Sequence, residues 1–310
     1  MPRRSLTIVA LASLILATPA WAHGGEHHDS GWSFEPLVTL LLSLSVLTYG
    51  IGLGRMGRAR KAIAPPWRIA SYMAAIVVLI VALLSPFDAR ADGSFAWHMG
   101  QHLLLMIVAA PLLAVANAHL VMLFAWPLRW RRRLGRAVVS VPGVKRGGYS
   151  SAAPWLAGVA FALGLWLWHA PVLYDAALED PTLHTVEHIT FLFSAAIFWR
   201  MVSTAGNRRL DPASAILLVT LVGMQGNLMA ALITLAPNPI YIHYQGIGAL
   251  DDQQIAGMLM WVPAGLIYLV STGHAIWRLM DGSVGKVVSV AAQHARWTKA
   301  SSEPASIGRR

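Results

Sequence analysis

The chain has 310 residues, of which 56% are hydrophobic and only 12% charged, and its formal net charge is +10. So apolar and charge-poor a composition excludes an ordinary soluble domain. The Lys and Arg residues fall in short clusters between apolar runs, so the positive charge reads as membrane orientation and not as nucleic-acid binding. There is no cysteine, which excludes disulfides and thiolate metal sites and leaves His, Met, Asp and Glu to hold any transition metal.

At the amino terminus Arg3 and Arg4 precede an apolar run over residues 6–17 and the small-x-small sequence Ala20-Trp21-Ala22. This is the pattern of a secretory signal peptide over residues 1–22, with an uncleaved signal anchor as the alternative. Either puts His23 and the residues after it outside the cytoplasm. Residues 23–36 then form a polar periplasmic arm whose His23, His27 and His28 can capture metal but not hold it in fixed geometry. Cleavage after Ala22 would join the free amine of His23 to its own imidazole as a chelating pair.

Seven apolar stretches of roughly bilayer-spanning length come next, at 37–54, 69–86, 97–126, 154–168, 184–202, 212–235 and 255–280. The third is longer than a perpendicular crossing needs, which predicts a tilt or a kink at Pro111. Basic clusters alternate with the spans: Arg55, Arg58, Arg60 and Lys61 after the first, Arg129 to Arg133 and Arg136 after the third, Arg200, Arg208 and Arg209 after the fifth. The cluster after the third span continues to Lys145 and Arg146 with no acidic residue. It is read as a topology determinant in preference to a lipid or nucleic-acid patch. The expectation is an all-α polytopic membrane bundle of seven helices over residues 37–280, N-terminus out and C-terminus in, with 281–310 as a cytoplasmic tail. Its place is the inner membrane of a Gram-negative-type bacterium.

That map uses no histidine, yet most histidines land on one side of it. His98 and His102 open the third span, His169 closes the fourth, His184 and His188 open the fifth, and His243 precedes the seventh. All are at the expected periplasmic boundary, whereas His119, His274 and His294 belong to the other half. His98/His102 and His184/His188 are i, i+4 pairs, which on a helix put both imidazoles on one face and can ligate a single ion. A single interfacial histidine is ordinarily an anchor, like Trp97, Trp168 and Tyr174 here. Two such pairs with His169 point to a metal or cofactor site.

Met99 and Met106 share the third-span arc and offer thioethers, although core packing explains them as well. Glu187 is a candidate ligand or an acceptor orienting an imidazole. Asp251, Asp252 and Gln253 either cap the last helix or add oxygen ligands. Gln225 and Asn227, beside Gly223 and Gly226, read as close helix packing with interhelical hydrogen bonds. On this chemistry three classes stay open. One is a copper-handling protein, and another is a zinc-dependent membrane hydrolase with Glu187 or Asp175 as base. The third is a haem-carrying electron-transfer protein, in which His119 and His274 could form a second axial pair.

The segments Trp97-His98-Met99-Gly100-Gln101-His102-Leu103-Leu104, Trp168-His169-Ala170-Pro171 with Leu173-Tyr174-Asp175, His184 with Glu187-His188, and Asp252-Gln253 with Gly257 and Met260-Trp261 resemble the CtaG-type cytochrome c oxidase assembly factor family. This is the multi-span family, distinct from the single-span copper chaperone of the same name. The resemblance implies a non-enzymatic role in maturing a haem-copper oxidase through delivery or retention of copper. Its partners would be cytochrome c oxidase subunits or other copper chaperones. The matching positions are His98, His102, His169, Tyr174, Asp175, His184, Glu187, His188, Asp252 and Gln253.

Overall fold

Four of the described helices begin at a two-residue signal, a capping acceptor followed by proline. Glu35-Pro36, Ser85-Pro86, Asp180-Pro181 and Asp211-Pro212 each pair an oxygen that accepts from an orphan backbone N–H with a residue that has no N–H to satisfy. The acceptors are seen in use: Glu35 takes the N–H of Val38, Ser85 that of Phe87, Asp180 those of Thr182 and Leu183, and Asp211 that of Ser214. The computed structural model describes residues 31–140, 144–145, 148–149, 152–203 and 210–302. The signal peptide, His23, His27 and His28 of the arm, Arg208 and Arg209, and residues 303–310 lie outside the described residues.

In chain order the helices are α1 (Pro36–Arg55), α2 (Arg60–Ile63), α3 (Pro66–Leu84), α4 (Pro86–Ala91), α5 (Phe95–Leu103), α6 (Ala110–Ala116), α7 (Ala118–Leu123) and α8 (Leu128–Ser140). After a two-stranded antiparallel pair, β1 (Val144–Lys145) and β2 (Gly148–Tyr149), come α9 (Ala153–Trp168), α10 (Pro171–Glu179), α11 (Pro181–Ser203), α12 (Pro212–Leu235) and α13 (Ala249–Ser302). Each of the seven expected stretches falls on a helix or a broken run of helices. Five are long and apolar enough to cross a membrane, and six if α9 and α10, bent by 74° at His169-Ala170, count as one span. The chain is an all-helical membrane protein. α11 has span length, with 23 residues, but its polar residues keep it out of that group. α13 runs on past the expected end of its span at residue 280, through Pro263 and as far as Ser302.

The third span departs most from expectation. Instead of one helix to residue 126, it is α5, a π-helical turn over Leu104–Ala109, and α6, ending at Asn117. The π turn explains how Pro111 is accommodated. The N–H of Ala110 bonds the carbonyl of Leu105, five residues back, so the Met106 carbonyl loses its α-helical donor, and its next one would be Pro111, which has none. The Trp199 indole of α11 donates to it instead, at 2.9 Å. Asn117 then adopts a left-handed conformation, φ 53°, the only non-glycine with positive φ among the described residues, and separates α6 from α7. Asn tolerates this region better than most side chains.

This broken span is the centre of the molecule. In the apolar 18-residue stretch of Phe95–Ala116, 56% of the residues are buried, against 11% in that of α1. One side, with Phe95, Met99, Met106, Ala110 and Ala114, joins a large core formed with α9 to α13. The other, with Leu105, Ala109 and Ala116, joins a smaller core with α1, α3 and α7, where Tyr49 stacks on Tyr72 at 3.6 Å. The expected close packing around α12 is present: Gly223 lies against Tyr268 of α13, and Trp166 of α9 donates to Gln225 at 2.8 Å. α1 meets α7 through Gly52, where an added Cβ would stand 2.0 Å from the Val121 carbonyl oxygen. Gly54, two residues on, faces open space.

Gly52→Ala is therefore expected to destabilise the protein by about 1–3 kcal/mol, while Gly54→Ala, which improves helix propensity, is neutral or stabilising by up to ~1 kcal/mol. Thermal unfolding in detergent compares the two, and equal midpoints would refute the close α1–α7 contact.

Candidate metal centre

The histidine ends of three elements converge. α5 presents His98 and His102 one turn apart, and α11 presents His184 and His188 in the same way. One nitrogen from each of the four lies within 4.8 Å of the others. His98 Nε2 is 3.0 Å from His102 Nε2, and the His98–His184, His102–His188 and His184–His188 ring centroids are 5.1, 5.3 and 4.2 Å apart. A tetrahedral ion with metal–nitrogen bonds of about 2.0–2.1 Å would set its donors about 3.3 Å apart, within reach of small side-chain rotations. His98, His102 and His188 are buried and His184 is half-buried.

The tautomer of His98 is set by its neighbour. Burial pushes the Tyr244 phenol up, so its hydroxyl keeps its proton at neutral pH. That proton is donated to the Ala91 carbonyl at 2.9 Å, so Tyr244 accepts from His98 Nδ1–H at 3.0 Å. His98 Nε2 is left as a bare lone pair aimed at the other imidazoles. His169, where α9 ends, donates from Nδ1 to the Leu165 carbonyl at 2.8 Å, and its Nε2 is likewise a free lone pair.

Buried polar atoms without a partner are concentrated around this point. Among the described residues, His102 Nδ1, His184 Nε2, His188 Nε2, His169 Nε2 and both Glu187 oxygens are buried with no hydrogen-bond partner. Each such group costs about 1–3 kcal/mol unless something engages it. A cation shared by the imidazoles would, and with no cysteine in the chain the donor set suits a borderline metal such as copper or zinc. Glu187 Oε1 lies 3.7 Å from His102 Nε2, too far for a hydrogen bond but close enough to offset positive charge.

The remaining candidates are placed differently. His169 borders the group, with its ring 6.1 Å from that of His102. Met99 is fully buried in the large apolar core. Asp252 stands outside the four-histidine group and is committed elsewhere. Its Oδ1 accepts from the Ser94 hydroxyl at 2.8 Å and the Ala96 N–H at 3.2 Å, and its Oδ2 from the Phe95 N–H at 2.6 Å. It thus caps α5, the helix carrying His98 and His102, and not its own helix. Asp175 accepts from the backbone N–H groups of Ile242 and His243, both at 3.3 Å, and fixes the loop between α12 and α13. Gln253 clamps the same loop by accepting from Ile240 N–H and donating to the carbonyls of Ile233 and Asn238. At the rim His243 reaches the Asp92 carbonyl at 3.3 Å. Burial and nearby Asp88 raise the Asp92 carboxyl above the usual carboxylate range, with His243 opposing.

Residues 47–281 match the family model described as cytochrome c oxidase caa3 assembly factor. The chain belongs to this family. The match spans every residue of the four-histidine group together with His169, Tyr244 and Asp252, and leaves the histidine-rich arm outside. A search of curated proteins and of solved structures finds no match. In this member of the assembly factor family, sequence reasoning missed Tyr244 and the positioning role of Asp252. The only local signal for Tyr244 was its place in a loop next to His243.

Asp252→Ala removes three bonds to a carboxylate at the start of α5 and is expected to cost about 1.5–3 kcal/mol. The check is thermal unfolding of the purified protein, where an unchanged midpoint would show that the cap contributes nothing.

Proposed function

We propose that this protein is a copper-handling assembly factor for cytochrome c oxidase. In this reading it sits in the bacterial inner membrane with the four-histidine group facing the periplasm, and passes copper to an oxidase subunit or to another copper chaperone. Membership of the assembly factor family supplies the oxidase. The observation that carries the copper is the convergence of His98, His102, His184 and His188, imidazole donors with buried unmatched nitrogens and no thiolate among them.

Copper here is cargo. Tyr244 holds His98 in the tautomer that offers Nε2, the cap at Asp252 fixes the height of the α5 pair, and Glu187 balances charge from within. His184, the one half-buried member, is the ligand a partner reaches first. The basic ends of the spans support the orientation by the positive-inside rule. Haem fits this donor set poorly. Two imidazoles could take its axial positions, but the other two, within 4.8 Å, would stand where the macrocycle must lie.

Replacing His98 and His102 together with alanine is expected to abolish copper retention and lower the amount of assembled oxidase without preventing membrane insertion. Elemental analysis of the purified protein and the oxidase content of membranes measure both. Normal copper and normal oxidase in the double variant would overturn the proposal, and stoichiometric zinc without copper would favour a hydrolase. Tyr244→Phe keeps the ring but frees the His98 tautomer, and is expected to weaken copper about 10–100-fold in competition with a chelator. An unchanged affinity would remove Tyr244 from the binding apparatus.

A further inference from the structure

At the end of the bundle away from the histidines, the segment expected only to set topology is folded into a helix of definite sidedness. In α8, at about 100° per residue, Arg129, Arg132, Arg133 and Arg136 fall within one arc of about 100°, and Trp130 and Leu134 lie beyond its edge. All four arginines are exposed. The apolar side is exposed too: Trp130 is 48% and Leu134 54% accessible, as is Trp126 at 56% just before the helix. Arg131, which falls between the two sides, folds back over the Phe124 ring at 4.5 Å.

A second basic cluster is tied to the first. The Arg55 guanidinium at the end of α1 donates to the Ala125 carbonyl at the approach to α8. This contact brings exposed Arg58, Arg60 and Lys61 to the same end of the protein. There Trp67 is 56% exposed, with the Arg68 guanidinium 4.9 Å from its ring centre. No acidic residue occurs between Glu35 and Asp88 or between Asp92 and Asp175, so neither cluster carries its own counter-charge.

From this combination we infer that α8 and the α1–α3 connection form a binding surface for anionic lipid headgroups. The charge calls for an anionic partner. The exposed Trp67, Trp126, Trp130 and Leu134 decide which one, because a phosphate layer backed by hydrocarbon meets both sides of α8, whereas a nucleic acid would leave its apolar side in water. The arginines meet lipid phosphates while the indoles and Leu134 enter the acyl boundary, so α8 lies along the membrane surface. The surface is separate from the histidine group, and the inference does not depend on the copper reading.

The test uses the full-length protein purified in detergent, offered equal phosphatidylglycerol and phosphatidylcholine, with retained lipid counted by native mass spectrometry. Phosphatidylglycerol is expected to be retained about tenfold over phosphatidylcholine at low salt, with the preference collapsing as ionic strength rises. The variant R129Q/R132Q/R133Q/R136Q should lose the preference with its thermal unfolding midpoint unchanged. The corresponding four-lysine variant should keep most of it, which separates charge from misfolding. If the glutamine variant cannot be purified, W130S/L134S, which retains every charge, should still prefer phosphatidylglycerol but hold less of it. Equal retention of both lipids by the native protein, full preference in the glutamine variant, or tighter binding of an RNA oligonucleotide than of phosphatidylglycerol would overturn the inference.

Discussion

A bilayer core holds no water to solvate a broken helix, so every backbone group released by a break must find a side chain. That constraint accounts for several polar residues in this bundle. The Trp199 indole meets the Met106 carbonyl freed by the π turn, Ser71 meets Leu112, Gln101 meets Ala82, and Tyr241 meets the His169 carbonyl where α9 bends into α10. Asp252 meets the first N–H groups of α5. Judged by partners, these residues are mortar. At the candidate centre, by contrast, several buried polar atoms without a partner, on His102, His169, His184, His188 and Glu187, gather in one place.

The same repairs hold the centre in shape. α5 is fixed at its start from α13, through Asp252, and at its far end by the indole from α11. His98 is steered from the loop between α12 and α13 by Tyr244, and that loop is itself pinned by Asp175 and Gln253. Four imidazoles on two helices thus depend on contacts from parts of the chain far from them in sequence. The chain's own contacts hold this arrangement, so a ligand bound there would have little reorganisation to drive.

Much of this was legible in the residues. Each of the seven stretches picked out by hydropathy falls on a helix or a broken run of helices, and i, i+4 spacing put each histidine pair on one face. α11 shows where hydropathy weakens: His184, Glu187, His188 and Arg200 dilute its apolar character, so the stretch read at 184–202 is a helix of span length but is not among those apolar enough to cross a membrane. The break at Asn117 was hidden because the apolar run continues through it and only the backbone turns. Asp252 was assigned to its own helix or to a metal because the N–H groups it caps belong to residues 156 and 157 positions away. No local pattern encodes such a pairing.

The π turn at Leu104–Ala109 also has a bearing on angular phase. Such a turn is an α-helix carrying one surplus residue, and each residue turns a helix by about 100°. The surplus therefore sets how the half bearing His98 and His102 is rotated relative to α6, which packs on α3 and α11. Wound as an unbroken α-helix with every residue kept, the same stretch would, with α6 held in place, swing the imidazoles of α5 by about 100°, off the face that meets His184 and His188. The winding of this stretch, at unchanged composition, aligns the two halves of the centre.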